Sequence, residues 1–579
     1  MIQIYSRFLK PYAGKTIAVI LMTVFTTFCS LLLPMISKQI INNGAINGDT
    51  DLIIQSMVVM LSVAVVSILV SLLANYISSG VSMGFAKNVR SAFFSHVSEL
   101  SQGDINKIGA SSLFSRQTND IQQLQTMLIQ MMQMFLVAPI MVVGGIVMAV
   151  VTAPTMMWML VVVLPCAILI MVMILLRVAP IFRKTQQKLD TVNRVIRENL
   201  NGMRVVRAFN REEYEREHFE EVNSDYRRLA ERGNKLMNCA NPLMTVLINA
   251  INLLIIWFGS RYMDAGNVSY GDIQAFVQYV SMILNAFMLC AMLLIILPRV
   301  QTSAARLNEV LDLEPSITDP LEPLKIPEGT ESSIMFRNVS FSYPGADVPV
   351  LSSLNFSAKK GQTLAIIGGT GSGKSTILNL ITRDYDVTDG EVLLDGVDVR
   401  KLAQEDLRGR LAVVPQKAFL FSGSIFENVR YGKEDASPEE VEYALSVAQA
   451  KEFVDQKDYG MYSYISQGGT NVSGGQRQRL AIARALVRHP DVYLFDDSFS
   501  ALDFKTDAKL RKMLKKEVKD AVTIIVAQRV STIQDADRII VLDAGRIIGD
   551  GTHEELMESC AVYREIALSQ VSESEVKGA

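Results

Sequence analysis

Leu364-Ala365-Ile366-Ile367-Gly368-Gly369-Thr370-Gly371-Ser372-Gly373-Lys374-Ser375-Thr376 is the stretch from which the rest of the chain can be read. Four consecutive apolar residues predict a buried strand, the glycines a tight loop, and the run after Lys374 an apolar helix. The spacing is GxxxxGK[ST] in strand–loop–helix context, and each part has a physical reason. Glycines let backbone N–H groups wrap phosphate oxygens, and the helix N-terminus adds the positive end of its dipole. In such a loop Lys374 reaches the β- and γ-phosphates and Ser375 ligates Mg²⁺, so the stretch predicts a site for a nucleoside triphosphate.

Working outward, Val492-Tyr493-Leu494-Phe495-Asp496 reads as a hydrophobic strand ending in a carboxylate. A phosphate-loop fold needs an acid at such an end to hold Mg²⁺ through its water shell. Between the two, Asn471-Val472-Ser473-Gly474-Gly475-Gln476-Arg477-Gln478-Arg479-Leu480 is a small-residue turn opening a basic helix, a second receptor for a γ-phosphate. One nucleotide cannot rest on both helices of one compact domain. The second receptor is therefore expected to serve a nucleotide held by another copy or a partner.

The other half of the chain is of a different kind. Of 579 residues, 49% are hydrophobic and 20% charged, and the mean hydropathy is +0.25. Residues 1–300 hold 24 basic and 17 acidic residues, whereas 301–579 hold 32 and 42. This excludes a disordered chain, a collagen, a disulfide scaffold and a dedicated nucleic-acid binder. The five cysteines (Cys29, Cys166, Cys239, Cys290, Cys560) form no metal-ligand spacing and are expected as buried small hydrophobes. Five windows carry no charge: 16–37, 52–86, 121–176, 236–260 and 273–298. A span needs ~20 apolar residues, so the long third window, with Ala153-Pro154 at its middle, reads as a hairpin and the total as six spans.

Loop charge sets their direction. Segment 79–120 has four Lys/Arg and 177–235 has fourteen, against one in 38–51 and one in 261–272. The positive-inside rule then puts both termini and both long loops in the cytoplasm. The long loops are helix-favouring and poor in Gly and Pro, so the membrane helices are expected to continue well beyond the bilayer. Residues 1–15 read as an amphipathic helix on the cytoplasmic membrane surface rather than a cleaved signal. The expected organisation is a transmembrane domain over 16–310, a linker over 311–332 rich in proline, and a nucleotide-binding domain over 333–579.

These features together resemble ATP-binding-cassette (ABC) exporters across essentially the whole chain. The resemblance implies a six-helix membrane domain fused to an α/β phosphate-loop domain: a half-transporter that must dimerise. It implies further roles. Tyr343, in Ser342-Tyr343-Pro344-Gly345, matches the aromatic that stacks on adenine. Gln416, in Val414-Pro415-Gln416, matches the glutamine that contacts Mg²⁺. Ser473, Gly474, Gly475 and Gln476 match the signature that completes a partner's ATP site, with Val472 in place of the usual Leu. Asp503, in Ser500-Ala501-Leu502-Asp503, matches the loop that crosses to the opposite site. Stretches near 105–116 and 200–212 resemble the tips of the two cytoplasmic loops that dock on nucleotide domains.

Two positions depart from the family pattern. The family carries Glu, the general base, directly after the Mg²⁺-binding Asp496; here the residue is Asp497, shorter by one methylene. The family's switch histidine is here Gln528, which hydrogen-bonds but carries no proton or positive charge. Gln467, upstream of the signature, stands where exporters often carry Glu. With the signature intact, the resemblance implies a degenerate, weakly hydrolytic site that binds Mg-ATP, paired with a homologous half-transporter whose Glu and His are present. It points to the heterodimeric bacterial multidrug exporters, in the cytoplasmic (inner) membrane. Met-rich spans and the isolated Asn249, Asn252, Gln278 and Asn285 suit hydrophobic or amphipathic small-molecule cargo, with membrane lipids around the spans and no nucleic-acid partner. A lipid or peptide exporter is the alternative, although no peptidase domain precedes the first span. An ATP-gated channel or regulatory subunit is a more distant one.

Overall fold

The computed structural model describes residues 1–327 and 332–576, and by its contacts the chain divides into two compact units. The linker expected over 311–332 and the domain expected over 333–579 each run past the described residues, at 328–331 and 577–579.

The first unit, Met1–Ser98 with Ser111–Leu313, is helical. Its long helices include Ala13–Gln39, Thr50–Glu99, Met157–Ala208, Glu212–Asn238, Ala240–Asp264 and Tyr270–Leu311. Among the described residues, five helical stretches are long and apolar enough to cross a membrane: Ile2–Ala45, Thr50–Glu99, Ala110–Thr152, Glu212–Asp264 and Tyr270–Cys290. A sixth helix, Met157–Ala208, opens within the shorter apolar stretch Pro154–Ile170, and the expected turn falls at Ala153-Pro154. At 50 and 52 residues, Thr50–Glu99 and Met157–Ala208 are each ~75 Å long, far more than a ~30 Å hydrocarbon core requires. The surplus is charged, as the sequence requires of a stalk in water.

Polar groups inside this unit find one another. Tyr279, fully buried, donates to the Leu31 carbonyl at 3.0 Å. Asp120, 1% exposed, accepts from Ser303 at 2.8 Å and Arg306 at 2.5 Å, while Arg116 pairs with Glu309 at 2.8 Å. The N-terminal helix and the methionines gain detail, and the cysteine expectation needs correction. The N-terminal helix Ile2–Leu9 forms, with Ile4, Tyr5 and Phe8 buried against the protein and Ile2 exposed. Tyr5 packs on Phe85 with ring centroids 5.2 Å apart and donates to the Leu124 carbonyl at 2.8 Å. Of the cysteines, Cys29 and Cys560 are buried, whereas Cys166, on the helix Met157–Ala208, and Cys239, at the junction of two helices, are exposed, contrary to the expectation of buried hydrophobes. Of the methionines in the spans, Met127, Met132, Met156 and Met159 are buried between helices, where an unbranched thioether fills gaps, while Met157 and Met173 are exposed.

The second unit, Glu314–Ala579 with Glu99–Ala110, is α/β. A six-stranded sheet runs in the order Arg546–Gly551, Arg538–Asp543, Thr363–Gly368, Val522–Val526, Val492–Asp496, Leu411–Val414. The last five are parallel, and Arg546–Gly551 is an antiparallel edge. Parallel strands covered on both faces must be apolar throughout, and Val522–Val526 is buried at every position. A four-stranded antiparallel sheet, Leu351–Lys359, Ser333–Phe341, Asp389–Leu394 and Val397–Asp398, flanks it. The segment grouped with this unit, Glu99–Ala110, overlaps the first half of the 105–116 stretch expected to dock: the helix Gln102–Ile108 starts at a capping box, Ser101 to Asp104, and runs into that stretch.

Candidate functional site

Four neighbouring parallel strands end side by side, and each delivers one of the residues singled out from the sequence. Crevices at the carboxyl ends of parallel strands are where open α/β sheets bind ligands. Thr363–Gly368 leads into the glycine loop and the helix Lys374–Ile381. Val522–Val526 leads to Gln528, Val492–Asp496 ends at Asp496 with Asp497 following, and Leu411–Val414 leads to Gln416.

The loop has its shape for steric reasons. A Cβ on Gly368 would fall 2.0 Å from the Leu542 carbonyl oxygen, and Gly373, at φ +98°, would drive one to 2.5 Å from Leu351. No other residue fits either place. Lys374 is 9% exposed, and its ammonium donates to the carbonyls of Gly368 at 2.9 Å and Gly369 at 2.7 Å and to the Ser372 hydroxyl at 3.4 Å. Burial pulls its pKa down, and the charges of Asp497 and Asp496 oppose that pull. Ser375 donates to Asp496 at 3.0 Å. Burial also pushes the Asp496 carboxyl up; the neighbouring Asp497 charge adds to this and the Ser375 hydrogen bond offsets part of it. A hydroxyl and a carboxylate in contact, beside a second carboxylate and the amide of Gln416, form an all-oxygen donor set that fits Mg²⁺. Thr370 and Gly371 are exposed on the loop, and Thr376 is buried beneath it.

Asp497 is 8% exposed and sits at φ +43°, a region that aspartate tolerates better than most residues. Its N–H donates to the Val526 carbonyl at 2.8 Å. One oxygen, Oδ2, accepts from two glutamines, Gln528 Nε2 at 3.0 Å, which stands at the switch position, and Gln416 Nε2 at 3.2 Å, which follows the family pattern. Both donors are neutral amides.

Tyr343 is half-buried, with its hydroxyl 3.1 Å from that of Thr376. Its ring meets Phe341 at 4.9 Å and Tyr385 at 5.1 Å, both edge-on. Tyr385, which sequence reading passed over, also accepts from Asn106 at 3.3 Å, and a Cβ on Gly103 would come within 3.0 Å of its ring. Asp104 accepts from the N–H and hydroxyl of Ser101 and from the N–H and hydroxyl of Ser316 on a single oxygen. The capping-box spacing of Ser101 and Asp104 was readable; the reach to Ser316 carries no sequence signal.

The signature residues open the helix Gly474–Leu486, but their hydrogen bonds stay within the turn. Ser473 accepts from Gln476 N–H at 3.2 Å, and Gln476 accepts from Ser473 N–H at 3.0 Å. The structure thus brings Lys374, Ser375, Gln416, Asp496, Asp497 and Gln528 together, and holds Ser473, Gly474, Gly475 and Gln476 as a separate, self-capped turn. Asp503 is the N-cap of the helix Phe504–Glu517, accepting from Thr506 N–H at 2.9 Å. Gln467 lies in the short turn Gln467–Gly469.

Comparison with known proteins agrees with this anatomy. Residues 16–287 match the ABC transporter transmembrane region, and residues 351–500 match the ABC transporter family. The chain is 41% identical over 98% of both chains to an uncharacterized ABC transporter ATP-binding protein, MT1311, of Mycobacterium tuberculosis. It is 34% identical, over 97% of both chains, to the uncharacterized YfiB of Bacillus subtilis. A probable multidrug resistance ABC transporter ATP-binding/permease protein, YheI of Bacillus subtilis, is 33% identical over 66% of this chain and 65% of its own. In fold, a bacterial Atm1-family ABC exporter solved with ATP bound superposes with a TM-score of 0.79 over 96% of this chain and 98% of its own, at 24% identity.

Proposed function

This chain belongs to the ABC transporters, a subunit of an ATP-driven exporter with membrane and ATP-binding parts in one polypeptide, and from that premise we propose that it is the degenerate-site member of a heterodimer. In this reading it binds Mg-ATP through Lys374, Ser375 and the loop Gly368–Thr376, with adenine on Tyr343 and Mg²⁺ held by Ser375, Asp496 and Gln416. When bound, Mg²⁺ neutralises charge on the phosphates. Hydrolysis there is weak. The observation that carries this is the Gln528 amide on Asp497: a carboxylate acting as base must hand on a proton and keep its reach to a water, and Gln528, where the family has a histidine, neither accepts nor supplies one at neutral pH. Loss of one methylene withdraws the carboxylate by about 1.5 Å, enough to cost orders of magnitude in rate.

The self-capped turn at Ser473–Gln476 is complete, so this chain supplies the partner's phosphate loop with a sound signature while its own base is altered, and Asp503 follows the crossing loop into the partner's site. A homodimer would hold two weak sites; a partner with Glu and His would hold one strong one. The cargo is hydrophobic or amphipathic, a multidrug reading supported by the mainly apolar helices and by the naming of YheI. The chain is proposed to lie in the cytoplasmic membrane of a bacterium, both termini inside. Mg-ATPase measured in lipid nanodiscs tests the reading. The expected result is negligible activity from this chain alone and strong, drug-stimulated activity with a partner half-transporter. Full activity from the chain alone would overturn it.

A further inference from the structure

The short helix Val530–Ile533, which follows directly on Gln528, lacks a cap of its own: Arg529 occupies the N-cap and makes no side-chain bond there. The first N–H groups of a helix need an acceptor from elsewhere. It comes from the far end of the chain. Gln570, on the helix Ala561–Val576, accepts from Val530 N–H at 2.8 Å and donates to the Gln528 carbonyl at 2.8 Å, so one amide brackets the backbone on both sides of Arg529.

The helix that presents it is fixed. Tyr563 is fully buried, its hydroxyl 2.7 Å from His553 Nδ1, and Ala567 is buried in the same core. Residues 563, 567 and 570 fall on one helical face, so the side that anchors the helix also aims Gln570. The chain of contacts is short: the core holds Tyr563 and Ala567, the helix holds Gln570, Gln570 holds the backbone at 528 and 530, and the Gln528 side chain holds Asp497.

We propose that Gln570 is a positioning residue for the nucleotide site, and that the C-terminal helix thereby sets the order of the segment 527–533 and its response to bound nucleotide. The inference rests on the reading of Asp497 and Gln528 as part of that site.

The test is amide hydrogen exchange on the full-length chain in lipid nanodiscs, with and without Mg-ATP. Gln570→Leu keeps the bulk and removes both hydrogen bonds. Exchange of 527–533 is expected to rise about five- to tenfold, as for the loss of a helix cap, and the slowing caused by Mg-ATP to disappear there, with ATP affinity within twofold of wild type. Gln570→Glu keeps the acceptor for Val530 N–H and should restore part of the basal protection. Wild-type basal exchange in Gln570→Leu, or wild-type slowing by Mg-ATP in that variant, overturns the proposal. If Mg-ATP fails to slow 527–533 in the wild type, the reading of the site is what falls, and the basal comparison still judges Gln570.

Discussion

The phosphate loop and the Asp497 cluster stand at the ends of strands in the same sheet, yet they hold charge in opposite ways. Lys374 is a buried cation satisfied by backbone carbonyls that the fold cannot move, and it follows the family pattern completely. Asp497 is a buried carboxylate satisfied by two side-chain amides, and it follows the pattern in place but not in chemistry. The first arrangement suits phosphate; the second, in the proposed reading, keeps the geometry around a base without the proton traffic a base needs. If that reading holds, binding and turnover are separable in one crevice, and a nucleotide site can keep its architecture while its chemistry changes one side chain at a time.

The largest expected effect comes from restoring the second arrangement. Asp497→Glu with Gln528→His should raise single-site ATP turnover at this chain by ~100-fold or more, the range of one positioned acid–base group. Unchanged turnover would mean that these two residues are not the cause. Breaking the first arrangement comes next. Lys374→Ala should weaken Mg-ATP binding roughly 10- to 100-fold in equilibrium titrations, the worth of one charge-assisted hydrogen bond, while leaving the fold intact.

A third prediction sharpens the comparison through pH. Amides do not titrate, so nucleotide turnover at the wild-type site should show no step due to residue 528 between pH 6 and 8. Gln528→His should introduce one centred near ~6.5, the ordinary imidazole range.

The smallest effect lies away from the crevice. Burial alone would raise the Asp104 pKa, but the donors from Ser316 and Ser101 outweigh it and hold the carboxyl below its ordinary range. Its folded pKa being depressed, its contribution is complete above about pH 4 and is lost as pH falls through that lowered value. Asp104→Ala should lower stability by about 1–2 kcal/mol at pH 7 and by less in acid, read by chemical denaturation.

Much of this was legible in the sequence because the signals are local. A glycine that must have no Cβ, a strand buried on both faces and a charge-free window each announce themselves within a few residues. The apolar face of the helix Ile2–Leu9 was legible too, but not what covers it: Phe85 and Leu124 are tens of residues away, and lipid and protein look alike to a hydrophobic side chain. The same limit hid Tyr385, whose partners are Tyr343 and Asn106, and Gln570, which reaches back 40 residues to Val530. Asp503 was read for a role across an interface, while its local work as an N-cap is what its spacing to Thr506 gives directly.

The bonds at Asp104 have a mechanical side. One carboxylate oxygen gathers four donors from two stretches of chain more than 200 residues apart, Ser101 just past the long helix Thr50–Glu99 and Ser316 just past the long helix Tyr270–Leu311. A joint with one bond can swivel; a joint with four converging bonds is stiff. A pull on the segment Glu99–Ala110 therefore reaches the start of the linker as displacement rather than slack, and the two strands of chain leaving that point share the load.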